Sequence, residues 1–373
     1  MSKRHNQATS DERSNETRRS GRRRFLQIAG AGSVAALAGC LAGNGGDGGD
    51  GGDGGDGGNG SGGGSDWEPE QAIRYIVPYD QGGGTDVYAR GIQEGLSAAT
   101  GQNIQIDNVP GAGGLNGFGQ LMQAQPDGHT ILGSATPLEV APQLLEDPGF
   151  DQRDSEGVAV FGQSVWTLVV NQQYEGEVES FDDVMEKYNT GEWESLGVQE
   201  PGSSQDIIAL LAKYQYEEEW GWDWTERVQY TGTGPVTQAV ASNEVPAGIG
   251  TDAGTQSVVD NGTVYPVVVF VSEGSEVYPD VPSVTDEGYP EIDFVGGLSR
   301  GVYAPPGTES NIVQGLSSDF EEAVQHESTQ EWTAETGNPT FYEGPEAANQ
   351  LMDDAFAAYE ENNVIELVQE HSG

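Results

Sequence analysis

The sequence predicts an α/β protein, and three observations predict it. Strand patterns and helix patterns alternate from residue 67 onward. Several strands are unbroken apolar runs, as expected of parallel strands covered on both faces. Two glycine-rich turns, Gly82-Gly83-Gly84-Thr85-Asp86 and Gly111-Ala112-Gly113-Gly114, each join a strand to a helix. The roughly 300 residues involved suit one large or two medium domains.

Residues 73–79 form the first apolar run, and 86–100 carry helical spacing through Val87, Ile92 and Leu96, closed by Gly101. A strand at 104–107 and a helix at 114–125 follow, and Pro126-Asp127-Gly128 turns the chain into a strand at 130–134. The stretch 157–170 is long and β-rich, enough to pass from one domain into another. A second series runs helix 181–188, strand 195–198, helix 205–216, strand 228–230, helix 236–242, strand 247–251, helix 254–261 and strand 264–271. Residues 294–304 read as extended up to Pro305-Pro306-Gly307, and the end of the chain is helical through 312–326, 329–336 and 347–361. Repeated strand–helix units put a ligand site at the carboxyl ends of the strands.

Before this part, residues 1–39 read as a signal peptide: a basic segment ending in Arg22-Arg23-Arg24-Phe25-Leu26, then a run of small and apolar residues too short for a comfortable membrane span. The arginine pair resembles a twin-arginine (Tat) leader, which exports folded protein. Leu37-Ala38-Gly39-Cys40 resembles a lipobox, in which Cys40 is acylated and ties the chain to the outer face of the cell membrane. Cys40 is the only cysteine, so an internal disulfide is excluded. Residues 40–66 are a Gly/Asp-rich tether; they lack the aliphatic positions that would let acidic repeats stack around calcium.

The formal net charge is −46, from 61 acidic and 15 basic residues. Eight of the basic residues lie in the leader, so no basic patch remains to bind nucleic acid. Acidity spread along the whole chain resembles the composition of proteins from salt-accumulating (halophilic) archaea and their relatives. In molar salt the Debye length falls to about 3 Å and the self-repulsion is largely screened, leaving an anionic ligand free to approach.

Glycine turns that open helices are suited to anions: their amide N–H groups converge, and the helix N-terminus adds about half a positive charge. Two such turns are expected to hold one carboxylate. Amides also avoid the cost of an unpaired buried arginine in an empty, closed site.

Val77-Pro78-Tyr79-Asp80-Gln81-Gly82-Gly83-Gly84-Thr85-Asp86 with Ala89-Arg90, Asn108-Val109-Pro110-Gly111-Ala112-Gly113-Gly114 and Pro126-Asp127-Gly128-His129-Thr130 form a set of spaced blocks. Gly202-Ser203-Ser204, Tyr230-Thr231-Gly232, Pro279-Asp280-Val281-Pro282-Ser283 and Glu287-Gly288-Tyr289-Pro290 continue it. Together they resemble the substrate-binding receptors of tripartite tricarboxylate transporters (Bug/Tct type), over nearly all of the chain after the tether. The resemblance implies a periplasmic-binding-protein type II-like fold with a C-terminal helical segment. Its two α/β domains, 67–168 with 296–373 and 169–295, would close over a small organic carboxylate. It further implies a monomer without cofactor that delivers this ligand to membrane permease subunits. Gln81, Gln205 and Thr233 depart from the usual Pro, His, and Lys or Gly of that family, which bears on substrate identity.

The candidate ligand contacts are the amides of Gly83, Gly84, Thr85, Ala112, Gly113 and Gly114, and the hydroxyls of Thr85, Ser134 and Thr136. Ser203, Ser204 and Thr231 face them from the second domain. Charge-assisted hydrogen bonds contribute roughly 1.5–3 kcal/mol each, so three or four support micromolar binding near about −8 kcal/mol. Tyr79 either walls the cleft or packs in the core. Asp86 either holds the glycine loop or touches ligand, and Asp252 either caps a helix or meets an ammonium or hydroxyl. Arg90 is spaced for an ion pair with Asp86. Gly113→Val is expected to abolish binding without unfolding the chain.

A secreted serine hydrolase is the alternative, with Ser299 in Gly297-Leu298-Ser299-Arg300-Gly301 as nucleophile and His326 or His371 downstream. That motif needs a sharp turn and then a helix, whereas an extended, proline-terminated segment follows. Nucleotide binding lacks the Gly-Lys-Ser/Thr continuation, and the second turn has Asn116 where a dinucleotide fingerprint has its last glycine. His129, His326 and His371 have no metal-ligand spacing, so no metal site is expected.

Overall fold

A computed structural model describes residues 67–371. The signal peptide, the twin arginines, Cys40 and the tether expected from the sequence lie outside the described residues. In chain order the elements are β1 (Ile73–Val77), α1 (Gly84–Thr100), β2 (Ile104–Asn108), α2 (Leu115–Met122), β3 (Thr130–Gly133), α3 (Val140–Glu146), β4 (Glu156–Asn171) and α4 (Phe181–Asn189). Then come β5 (Ser195–Gln199), α5 (Ser204–Leu210), β6 (Glu226–Tyr230), α6 (Thr233–Ala241), β7 (Ala247–Thr251), α7 (Asp252–Asp260) and β8 (Val264–Val269). The chain ends through α8 (Asp293–Gly296), β9 (Gly297–Ala304), α9 (Ser310–Gln325), α10 (Glu327–Thr336), β10 (Thr340–Glu343), α11 (Pro345–Glu361) and α12 (Val364–His371).

The ten strands follow the order β2-β1-β3-β9-β4-β7-β5-β6, with β8 and β10 also pairing to β4. β1 is parallel to β2 and β3, and β5 is parallel to β6 and β7. β4 runs antiparallel to its neighbours and serves both groups: Glu156 to Val165 lie against β9, and Trp166 to Asn171 against β7 and β8. The long β-rich stretch is therefore one strand shared by two parallel units. Its residues are almost all buried because helices cover both faces.

Local chemistry explains the ends of the elements. Gly101 closes α1 in the left-handed region at φ 64°, where a Cβ would be disfavoured. Ser180 and Asp183 form a capping box on α4. α1 buries Tyr88, Ala89, Ile92 and Leu96 on one face, within the core cluster that also holds Leu316 and Phe320 of α9.

Three readings need correction. Residues 293–296 form a helical turn where extension was expected, because Gly296 and Val295 pack against the sheet and Asp293 bonds back to Ser272. The helix read as 205–216 is α-helical only to Leu210 and continues with π geometry over 211–215. α3, β10 and α12 were not anticipated: they are short, and Pro142 falls in the first turn of α3.

Candidate functional site

A small, partly open cavity lies where the carboxyl ends of β1, β5 and β7 meet. Gly83, Gly84 and Thr85 at the N-terminus of α1 line it, with Gly232, Thr233 and Gly234 at the N-terminus of α6 and Thr251 at that of α7. Three helix N-termini thus converge, each carrying partial positive charge. They pack closely: a Cβ on Gly84 would lie 2.5 Å from Thr251 Oγ1, so only glycine admits this approach. Tyr79, Ala135, Leu138, Trp166 and Leu298 supply apolar walls, and Asp80 and Gln199 complete the lining.

Arg300 also lines the cavity, and sequence reasoning missed it. It sits in mid-strand on β9 and is 1% exposed. Nη1 donates to Thr85 Oγ1 at 2.9 Å and Nη2 to Ser164 Oγ at 2.8 Å, while Nε has no partner. The guanidinium carbon lies 4.9 Å from the centre of the Tyr88 ring, a cation–π contact. Burial pushes its pKa below the usual value, though an arginine stays charged throughout the physiological range. Among the described residues seven are basic. Arg74, Arg90, Arg153, Lys187, Lys213 and Arg227 each pair with a carboxylate. Arg300 does not, in a chain with 61 acidic residues. Amides alone were expected at the site; the cavity lining also includes this fixed cationic side chain. The available signal was the scarcity of cations: an arginine inside an apolar strand pattern demands a partner.

The other expected residues divide. Tyr79, Gly83, Gly84 and Thr85 line the cavity. Tyr79 also belongs to the core, and burial followed by the nearby Glu139 pushes its phenol well above the ordinary range. Asp86 does not line the cavity. Its carboxylate accepts from Gly82 N at 2.9 Å, Arg90 Nε at 2.9 Å and Asn108 Nδ2 at 3.1 Å, which fixes the glycine loop. Burial opposes ionisation there, yet these bonds outweigh it and hold the carboxyl below its usual value.

The second glycine turn stands away from the cavity. Gly111, Ala112, Gly113 and Gly114 all have positive φ, and the Gly113 N–H donates to Glu200 Oε1 at 3.2 Å, so a carboxylate of the protein itself holds that amide. Ser134 and Thr136 share a hydrogen bond of 2.8 Å, and Ser134 donates to the buried Glu139 at 3.1 Å; only Ala135 between them faces the cavity. Ser203 caps α5 and Ser204 meets Tyr359. Thr231 is exposed, and its neighbours Gly232 to Gly234 take the lining position. Asp252 accepts from Ala253 N, Val165 N and Ser275 Oγ, so its carboxylate is spent on the helix start. Gln205 is buried with Nε2 on Ile249 O, whereas Thr233 lines the cavity.

Nothing here forms a nucleophile elbow. Ser299 lies in a continuous strand, its amide bonded to Thr136 O. His326 caps α10 and His371 stacks on Tyr214. No group of three or more His, Cys, Asp or Glu among the described residues is placed to hold a metal ion, and no described helix is long and apolar enough to cross a membrane.

Parallel α/β units joined by a shared strand, with helix N-termini and an unpaired guanidinium around a small cavity, define a binding protein. The pattern of the tripartite tricarboxylate transporter family receptor matches residues 88–369, and the chain belongs to that family. It is an extracytoplasmic solute-binding receptor and not an enzyme. BugT of Bordetella pertussis is 27% identical over 277 residues, covering 73% of this chain and 82% of that protein. Among solved structures, BugD superposes with TM-score 0.69 at 23% identity, covering 79% of this chain and 99% of that one. MatC from Rhodopseudomonas palustris with bound malate gives 0.67 at 23% identity, covering 80% and 99%. A further R. palustris protein with adipate gives 0.69 at 23%, covering 81% and 98%.

Proposed function

We propose that this receptor captures a small organic carboxylate on Arg300 and the α1 and α6 N-termini, and delivers it to the membrane permease subunits of a tripartite tricarboxylate-type transporter. The observation that carries the reading is the buried guanidinium without a carboxylate partner. A ligand carboxylate supplies the missing anion, and Thr85, Thr233 and Thr251 surround it with hydroxyls. The carboxylates bound by MatC and by its adipate-binding neighbour support the ligand class.

In this reading residues 169–295 act as a lobe that moves against 67–168 with 296–373. The flexing points are β4 near Val165 and Trp166, where it changes partners, and the segment leading into β9. Closure requires a ligand that binds the closed form better than the open one. Twin-arginine export, acylation at Cys40 and a salt-rich, archaeal-type setting complete the proposal, resting on the leader sequence and on the net charge of −46.

Thermal unfolding in molar KCl with a panel of mono-, di-, tri- and aromatic carboxylates tests the ligand class. A ligand at 100 times its Kd stabilises by about 2.7 kcal/mol, and a panel without any shift would refute the reading. Release of Cys40→Ala protein from the cell surface tests the anchor.

A further inference from the structure

The Gly111-Ala112-Gly113-Gly114 turn has no part in lining the cavity, yet an anion reaches it. That anion is Glu200, in the turn that leaves β5. Gly113 lies in the lobe 67–168 with 296–373 and Glu200 in the lobe 169–295, so the 3.2 Å bond between them crosses from one lobe to the other.

The surroundings fix both ends of this bond. A Cβ on Gly113 would run into the ring of Pro142, so α3 backs the turn that presents the amide. On the other side Gly202, at φ 80°, brings the Glu200 turn down onto the same helix: a Cβ there would lie 2.8 Å from Leu145 Cδ1 of α3 and 3.9 Å from Val368 Cγ1 of α12. Two glycines in the left-handed region thus let the turns of opposite lobes meet across α3.

The bond is strong enough to hold and weak enough to release. Burial and the nearby Asp80 charge push the Glu200 carboxyl up, against the pull of its own amide and that of Gly113. Its Oε2 is buried without a hydrogen-bond partner. Separating the lobes would give Oε2 water and draw Glu200 away from Asp80, but it would break a charge-assisted hydrogen bond. A permanent staple would satisfy both carboxylate oxygens; this one satisfies a single oxygen.

We propose that Glu200 is a positioning residue whose carboxylate ties its lobe to the Gly113 amide, so that the closed arrangement is populated before any ligand arrives. The ligand then has less of the closure left to drive. This rests on the two-lobe reading and adds the contact that holds the lobes together.

A nitroxide pair on Glu94→Cys of α1 and Gln238→Cys of α6, both exposed, tests it in the full chain carrying Cys40→Ala. Pulsed dipolar spectroscopy in molar KCl, with no ligand added, reads the distance between the lobes. Thr233→Trp, which crowds the cavity between them, supplies the open reference. Glu200→Ala is expected to raise the long-distance population about tenfold, the factor that one hydrogen bond to a charged group supplies. Glu200→Gln, which keeps the size but not the charge, is expected to raise it several-fold and decides the case should the alanine variant not fold. If Thr233→Trp lengthens the distance and neither Glu200 variant does, the tie is overturned while the two lobes stand. If none of the three lengthens it, both are overturned.

Discussion

A Cβ placed on Gly84 would lie 2.6 Å from Nη2 of Arg300. The first residue of α1 and the middle of β9 therefore approach as closely as their chemistry permits, and the guanidinium is held against the helix terminus. Gly84→Ala sets two effects against each other. Alanine favours a helix over glycine by about 1 kcal/mol, but here the methyl group must displace Arg300 or Thr251, a strain of about 1–3 kcal/mol. Displacement should win: ligand affinity falls at least tenfold in calorimetry, while the far-ultraviolet spectrum stays that of the wild type. Unchanged affinity would show that the guanidinium is not part of the ligand site.

Arg300→Met tests function against stability. The unliganded protein keeps a buried cation whose partners are only the Thr85 and Ser164 hydroxyls and the face of Tyr88. Replacing buried charge by an apolar side chain of similar length is commonly neutral or stabilising by about 1–4 kcal/mol. The variant should melt at or above the wild-type temperature in the absence of ligand and lose the carboxylate-induced shift. A lower melting temperature with the ligand shift retained would mean that Arg300 is a structural cation.

Much of this was legible in the sequence where the signal is local. Gly101 announces a helix end, the Asp86 and Arg90 spacing announces an ion pair, and the apolar run at 73–79 contains β1; each depends on neighbours a few residues away. The glycines at 83 and 84 were readable as a turn opening a helix for the same reason. Arg300 was not, because its partners Thr85 and Ser164 come from α1 and β4, and no local pattern announces which strands will be adjacent. The second glycine turn is the converse case. Its local chemistry does suit an anion, but the anion that reaches it is Glu200, from the end of β5.

That contact alters the outcome expected for Gly113→Val. Gly113 has φ 59°, and a Cβ there would run into the ring of Pro142 at the start of α3. A β-branched residue in this conformation costs about 1–3 kcal/mol before the clash is counted. The substitution should therefore lower the urea midpoint substantially, with an unchanged slope, whatever happens to ligand binding. A wild-type midpoint would show that the turn relaxes freely and that its link to Glu200 is dispensable.

Asp319 on α9 offers a test by pH. Burial, and then the charges of Glu322 and Glu68, push its carboxyl up to about 7, against an ordinary value of 3.8. The folded state thus holds this proton more tightly than the unfolded chain does. Its contribution to stability is complete below about pH 4 and is lost as the pH rises through about 7. Asp319→Asn keeps a neutral group of the same shape at every pH. In molar KCl the variant should melt above the wild type at pH 8, and the gap should close by pH 4. A gap of equal size at both pH values would instead trace the change to packing and leave the Asp319 proton without a role.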